Sequence, residues 1–508
     1  MAEDIKPHIG KRVIETLTLG MYDDARFVYR EYVQNAADQI DVAFETGILS
    51  SKSEGKILIN IDTVNKQITV KDNATGIAGK DVTRFLGDIA NSQKDRDKRK
   101  GFRGIGRLGG LGYCDKLIFE TSAHNESFKT IMSLDAKMLR DIIEDSSNES
   151  EASSVISVIT SISKEPERME DHYFTITLEN VSDKLLDVES VRNYLAMVAP
   201  LPFATEFKCN EEINTHFKKN NSALDDYYVE INKKQLFKSY KDQFIDENGT
   251  SELLGVKFFE VRDDNLELLA IGWFGFRNLA NFVLSPSNKE RGIRLRKNNI
   301  GIGDEFTLAR FFDAERTNLR FIGELHVFGS SFIPNARRDY FIENKTLQTF
   351  EKKLTDMFLE QNWENRVAQA ASQLHNRVKE VREYQAKNQQ YEAMKGSFKS
   401  EADQNEKFEE LRKAEQKAKD AIKIITRFKK KKAEDDTLEK LYDNIIADQD
   451  LSIPNTDDVV LEEFEPPTFK KLKKNEQELV RDIFTILEKN LKPAEAKKIK
   501  QLIFDKYN

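Results

Sequence analysis

The run "KILINIDTVNKQITVKDN", residues 56–73, limits what this chain can fold into. Ile57, Ile59 and Ile61 alternate with other residues, and Ile68 and Val70 take up the same period after a short turn. That pattern predicts an antiparallel hairpin with one apolar face, and such a face must be covered by a second layer. The preceding stretch "RVIETLTLGMYDDARFVYREYVQNAADQIDVAFETG" reads as two helices, the second ending near Gly47. "DKLIFETSA", "SSVISVITSISK" and "HYFTITLEN" read as further strands. Hairpins with helices between them predict an α+β sandwich over residues 1–205, with its helices on one face of a mixed sheet.

Residues 225–345 are expected to form a second α/β unit. Its strands are "YYVEINKKQLF", "GVKFFEVRD", "LELLAIGWFGF", "GIRLRKNNIGIG" and "FIGELHVFG". From "NKTLQTFEKKL" the character changes, and residues 346–445 read as a charged helical or coiled-coil arm. Phe408, Leu411, Ala414, Ala418, Ile422 and Ile425 recur there at steps of three or four. Residues 446–467 read as an acidic, proline-containing linker. Residues 468–508 are helical again, with Leu479, Ile483, Phe484, Leu487 and Leu491 on one apolar stripe that suits packing or a dimer contact.

A length of 508 residues allows two to four domains with real cores. Charged residues make up 33%, close to the 39% that are hydrophobic, which points to long exposed helices. The net charge of −8 argues against a nucleic-acid coat but leaves room for a local basic surface. Such surfaces are the runs "RFKKKKAE", "FKKLKKNE" and "KDRDKRKGFRGIGR", each of which also reads as a solvated segment. Cys114 and Cys209 form no CxxC or Cys/His cluster, so neither a disulfide framework nor a metal centre is indicated. No apolar signal core and no run of about 18 apolar residues is present. A soluble cytoplasmic protein without membrane contact is expected.

Four features carry chemistry. In "VYREYVQNAADQID" the side chains of Glu31, Asn35 and Asp38 fall within about 60° of one helix face. Alone, that face favours a solvated stripe over a ligand site. In "VKDNATGIAG" a strand ends at Asp72, and Gly76 and Gly79 mark a turn, so a carboxylate can reach the edge of a planar heterocycle. In "KGFRGIGRLGGLGY" six glycines at 101, 104, 106, 109, 110 and 112 would let backbone N–H groups approach phosphates. No Gly-Lys-Ser/Thr follows, so this is not a Walker loop. The fourth is Thr175, on a strand. The order helix, Asp turn, glycine loop, strand threonine is what one nucleotide site would need.

These residues resemble the GHKL ATPase superfamily of gyrase, heat-shock chaperones, histidine kinases and MutL. "REYVQNAADQID" is similar to its N-box, and "DNATGI" to its Asp-x-Gly-x-Gly box, with Ala74 where glycine is usual. "GFRGIG" resembles the second glycine box, and "FLGDIANSQK" the lid-forming stretch of the heat shock protein 90 family. "GIRLRKNNIGIG" with "GELHVFGSSFIPNARRDYF" resembles that family's middle, or transducer, domain. The resemblance implies a Bergerat-fold sandwich that binds ATP with Mg²⁺. It implies Glu31 as the base that activates water and Asn35 as the Mg²⁺ ligand. Asp38, Asp72, Gly76, Ser92, Gly101, Gly104, Ile105, Gly106, Thr175 and Asn335 are implied nucleotide contacts. Arg338, with Arg337 as its close alternative, is implied as the arginine that reaches the terminal phosphate. A homodimeric, chaperone-like clamp on a protein client is the first expectation. A MORC-like or MutL-like clamp on DNA, or a slowly hydrolysing scaffold, are the alternatives.

Overall fold

The computed structural model describes residues 9–18, 24–87, 106–246, 249–277, 283–360, 363–395, 398, 401–431, 436–446, 449–453 and 472–507. It is a mixed α+β structure with two sheets followed by helices. The chain divides into two compact units, Met1–Gly275 with Phe282–Trp363, and Phe276–Asn281 with Glu364–Asn508.

The first sheet has eight strands: β1 (Lys56–Asp62), β2 (Gln67–Asp72), β3 (Lys116–Ser122), β4 (Phe128–Asp135), β5 (Thr160–Pro166), β6 (Tyr173–Glu179), β7 (Tyr228–Ile231) and β8 (Lys234–Gln235). Their order is β5-β4-β3-β6-β2-β1-β7-β8, and β1 with β7 is the parallel pair. The expected hairpin is there, with Ile59 opposite Val70 and Ile61 opposite Ile68. All four side chains are buried, as the period of two requires. Helices α1 (Arg12–Thr18), α2 (Phe27–Glu45), α3 (Ala136–Glu144), α4 (Ala152–Ile159) and α5 (Val188–Val198) supply residues to the same core. Asp135 and Asp187 start α3 and α5 by accepting from the amides of Met138 and Ser190.

Two local expectations are corrected and one strand is added. "SSVISVITSISK" is helical up to Ile159 and extended only from Thr160. Its apolar residues fit both periods, and Val155, Ile156 and Ile159 are buried at helical spacing. "FKTIMSLD" is β4, a strand the sequence reading did not assign. "YYVEINKKQLF" belongs to the first sheet, because β7 pairs with β1 from Lys56 opposite Tyr228 onward.

After α6 (Asn210–Lys219), the second sheet contains β9 (Gln243–Asp246), β10 (Gly249–Arg262), β11 (Leu268–Arg277), β12 (Gly292–Lys297), β13 (Ile300–Ile302) and β14 (Ile322–Val327), in the order β13-β12-β14-β11-β10-β9. The helix α7 (Lys345–Thr355), counted with the arm in the sequence reading, buries Leu347, Phe350 and Leu354 and packs against β10.

The second unit is helical: α8 (Trp363–Met394), α9 (Glu401–Lys431), α10 (Asp436–Ile446), α11 (Lys474–Asn490) and α12 (Pro493–Tyr507). The α9 stripe faces α8, where Leu411, Ala418 and Ala421 share a core with Val381, Tyr384 and Tyr391. Leu451 and Ile453 pack against that core, so this part of the expected linker is docked. Most of the rest of the linker lies outside the described residues. On α11, Phe484 and Leu487 pack with Ile503 and Phe504 of α12, whereas Leu479 is 61% exposed. Among the described residues no helix is long and apolar enough to cross a membrane.

Candidate functional site

Helix α2 is buried on nearly every side, so its polar residues are not a solvated stripe. Asp38 is fully buried and Glu31 nearly so, while Asn35, between them, is half-buried. Burying a carboxylate is costly unless charge or hydrogen bonds offset it. For Glu31 the offset comes from two arginines. Arg338 Nε donates to Glu31 Oε1 at 2.8 Å, and Arg30 Nε lies 3.9 Å from the same oxygen. Both guanidinium groups are themselves buried. Arg30 had no assigned role in the sequence reading, although its place beside Glu31 was the available signal.

Arg338 reaches Glu31 from a loop that follows β14. A tight turn is closed by the Arg338 amide donating to Asn335 O, and Asn335 N donates to Tyr340 O at 2.9 Å. Arg338 holds a left-handed backbone, with φ of +58°. Arg337, the alternative, is exposed on this turn. Asn335 Nδ2 is engaged by Asp339 Oδ1, and Asn335 Oδ1 is buried without a hydrogen-bond partner among the described residues. The turn therefore brings Arg338 to Glu31, while the Asn335 amide braces the turn.

Asp72 ends β2 with its carboxyl 4% exposed, and its Oδ1 accepts from Ala74 N at 3.0 Å. Burial pushes this carboxyl up to about 7. Directly opposed strand residues share a face. Phe174 is opposite both Asp72 and Thr121, which puts the buried Thr121 on the Asp72 face. Thr175 is opposite Lys71 and Glu120, so it lies on the other face, away from Asp72. Thr121 was missed. Its signal was the inward alternation Leu117, Phe119, Thr121 in "DKLIFETSA". Its hydroxyl accepts from Ile77 N at 2.8 Å and donates to Tyr173 O at 3.0 Å, which ties down the turn after Asp72. Gly76 has φ of +62°, and a Cβ there would sit 1.8 Å from Ser122 O, so the turn admits only glycine. His172 Nδ1 is 2.6 Å from Ala74 O at the same turn.

The glycine run is described from Gly106, and Ser92, Gly101, Gly104 and Ile105 lie outside the described residues. Gly106–Gly112 is a 3₁₀ turn laid along α2. A Cβ on Gly106 would come 2.3 Å from Glu31 Oε2, and one on Gly110 would come 2.4 Å from the Tyr32 hydroxyl. These two glycines give close approach to the Glu31 helix. Among the described residues no group of three or more His, Cys, Asp or Glu could hold a metal. The half-buried Asn35 offers an amide oxygen, the hard kind of donor that Mg²⁺ takes beside waters and phosphate oxygens.

Residues 30–166 match the family described as histidine kinase-, DNA gyrase B- and HSP90-like ATPase. The match runs from Arg30 to the end of β5 and so takes in Glu31, Asn35, Asp38, Asp72 and the glycine run. Curated relatives are chaperone proteins HtpG. That of Clostridium acetobutylicum is 28% identical over 110 residues, 20% of this chain and 18% of the relative. That of Polaromonas naphthalenivorans is 27% identical over 127 residues, 22% and 20%. That of Mesorhizobium japonicum is 34% identical over 86 residues, 16% and 14%. The chain therefore spans no more than about a fifth of the length of these relatives.

Proposed function

We propose, from a chain that carries a GHKL-type ATPase domain with distant and partial similarity to HtpG chaperones, that this protein hydrolyses ATP and couples turnover to closure of a chaperone-like, homodimeric clamp on a protein partner. The observation that carries the reading is the 2.8 Å contact of Arg338 with Glu31, which brings a loop after the second sheet onto the helix that opens the ATPase domain. A Bergerat-type sandwich followed by a transducer unit accounts for that arrangement.

In this reading Asp72 accepts from the exocyclic amine of adenine, and Thr121 holds the turn beside it. Glu31 takes a proton from the attacking water. Arg338 turns from Glu31 toward the terminal phosphate and stabilises the charge that develops there. In this reading the same contact also regulates the site. While Arg338 pairs with Glu31, both groups are engaged, and a phosphate that competes for the guanidinium frees the carboxylate. Mg²⁺ bound with ATP supplies charge neutralisation at the phosphates, and Asn35 is the residue that would hold it.

The test is turnover and binding in Glu31→Gln. Loss of ATP hydrolysis by a factor of roughly 10² or more with ATP affinity kept is expected, on the scale of a general base. Unchanged turnover would remove Glu31 from the reaction. Suppression of client aggregation by the full chain supports the chaperone-like clamp, and turnover stimulated by duplex DNA would move the reading to a DNA clamp.

A further inference from the structure

The turn that carries Arg338 does not stand alone. Its backbone is held by the residue that follows the β12–β13 hairpin: Gly303 N donates to Arg338 O at 2.9 Å. Gly303 has φ of +66°, and a Cβ there would lie 1.9 Å from Thr307 Oγ1 and 2.7 Å from Asp339 O. The second of these is backbone, so it cannot give way without moving the Arg338 turn. Thr307 fixes Gly303 in turn. Its Oγ1 accepts from Asp304 N at 2.7 Å, and Asp304 Oδ1 accepts from Phe306 N at 2.8 Å.

The other end of the hairpin is anchored to α5. Arg296 on β12 is fully buried, and its Nη2 donates to Met197 O at 2.7 Å at the end of α5. Glu324 Oε1 lies 2.5 Å from Arg296 Nε and balances that charge. Gly301 lets the hairpin come against the α5 backbone, because a Cβ there would lie 3.1 Å from Val198 Cα. Helix α5 is tied back to the start of α2, where Arg26 Nη1 donates to Ser190 Oγ at 2.9 Å. The contacts therefore close a ring: α2, α5, the hairpin, the Arg338 turn, and α2 again through Glu31.

We infer that the β12–β13 hairpin is a strut that fixes the reach of Arg338 to the Glu31 site, with Gly303 and Thr307 as its positioning residues. The inference rests on the reading of Arg338 as the residue that stabilises the terminal phosphate. Neither Gly303 nor Thr307 touches Glu31. Each acts through the backbone of the Arg338 turn, where a displacement of about 1 Å suffices to lower turnover by roughly 10²-fold.

The experiment uses the full chain and three variants, Gly303→Ala, Thr307→Val and the conservative Thr307→Ser. In the nucleotide-free protein, Glu31→Gln and Arg338→Met are combined in a double-mutant cycle read by Tm. The two changes should be non-additive in the parent and in Thr307→Ser, and additive in Gly303→Ala and Thr307→Val. In steady-state ATP hydrolysis, Gly303→Ala and Thr307→Val should lower kcat by roughly 10- to 100-fold with ATP affinity unchanged. Thr307→Ser should stay near the parent. If Gly303→Ala does not fold, the Thr307 pair decides. A cycle that stays non-additive in Thr307→Val overturns the inference, as does a fall in ATP affinity equal to the fall in kcat. A parent protein with no turnover overturns the hydrolytic reading alone, and the Tm cycle still decides the positioning.

Discussion

Asp72 shows what a buried carboxyl at a strand end does to the protein that holds it. Burial raises it from the ordinary 3.8 to about 7. Below pH 3.8 the folded and unfolded chains both hold the proton. Between pH 3.8 and about 7 the unfolded chain releases it first, so stability falls, and above 7 the cost is complete, on the order of 4 kcal/mol. Asp72→Asn removes that slope and keeps an acceptor for Ala74 N. Its Tm should exceed the parent's at pH 8 and match it near pH 4, while ATP affinity drops, measured by calorimetry. A second prediction concerns Gly106. A Cβ there would push the buried Glu31 carboxylate off Arg338, so Gly106→Ala should lower Tm as well as reduce kcat by roughly 10-fold or more. At this scale the sequence was informative where chemistry is local. Residue type and spacing single out Glu31, Asp72 and Gly76, and the fold buries both carboxylates and gives Gly76 a left-handed turn. Thr175 was not placed correctly, because a shift of one residue along a strand changes the face, and register is set by β2 and β3 rather than by β6 itself.

The elements add what single residues cannot. In the second sheet Glu324 carries a buried cluster. Lys238 Nζ is 2.8 Å and His326 Nε2 2.9 Å from its Oε2, and Arg296 meets its Oε1. Burial lowers Lys238 to about 7 and His326 to about 4, and the neighbouring cations hold Glu324 well below the usual carboxylate range against its own burial. Glu324→Gln leaves the buried Arg296 guanidinium without its counter-charge and should cost roughly 3–5 kcal/mol in denaturant unfolding. Lys238→Met should cost much less at pH 8, because the amine is already largely neutral there and Arg296 still pairs with Glu324. The sign for Lys238 is opposite to that for Asp72. Its folded value lies below the ordinary 10.5, so the folded chain binds fewer protons and stability rises with pH between about 7 and 10.5. Lys238→Met should flatten that rise. This cluster is hidden in the sequence because the alternation in "GIRLRKNN" does not show what its arginines meet. The partner that draws Arg296 inward lies on β14, beyond a long insertion. The assignment of β7 failed for the same reason: strand character is local, but its neighbour β1 is some 170 residues earlier.

At the scale of the whole molecule, the shift in composition near residue 345 marked where sheets give way to helices, although α7 still belongs to the first unit. What the composition could not supply is which helix faces stay open. Helix α11 has two apolar sides. Val480 and Phe484 are turned into the unit, and Leu479, Ile483 and Ile486 are spaced four and three residues apart along the outside. Leu479 is 61% exposed, Ile486 59% and Leu502 on α12 60%. An apolar stripe left open on a helix is a natural surface for self-association. A clamp needs one contact that persists through the cycle and one that forms with ATP. In the clamp proposed above, the stripe on α11 would be the persistent contact and the ATPase domain the conditional one. Light scattering of the full chain should then give a dimer mass with and without a non-hydrolysable ATP analogue. The combination Leu479→Asp with Ile486→Asp should give a monomer without nucleotide and turnover that rises with protein concentration, because closure then becomes bimolecular. Glu31→Gln should remain dimeric throughout. A parent chain that stays monomeric at every concentration, with the analogue present, would remove the clamp from the account and leave a monomeric ATPase.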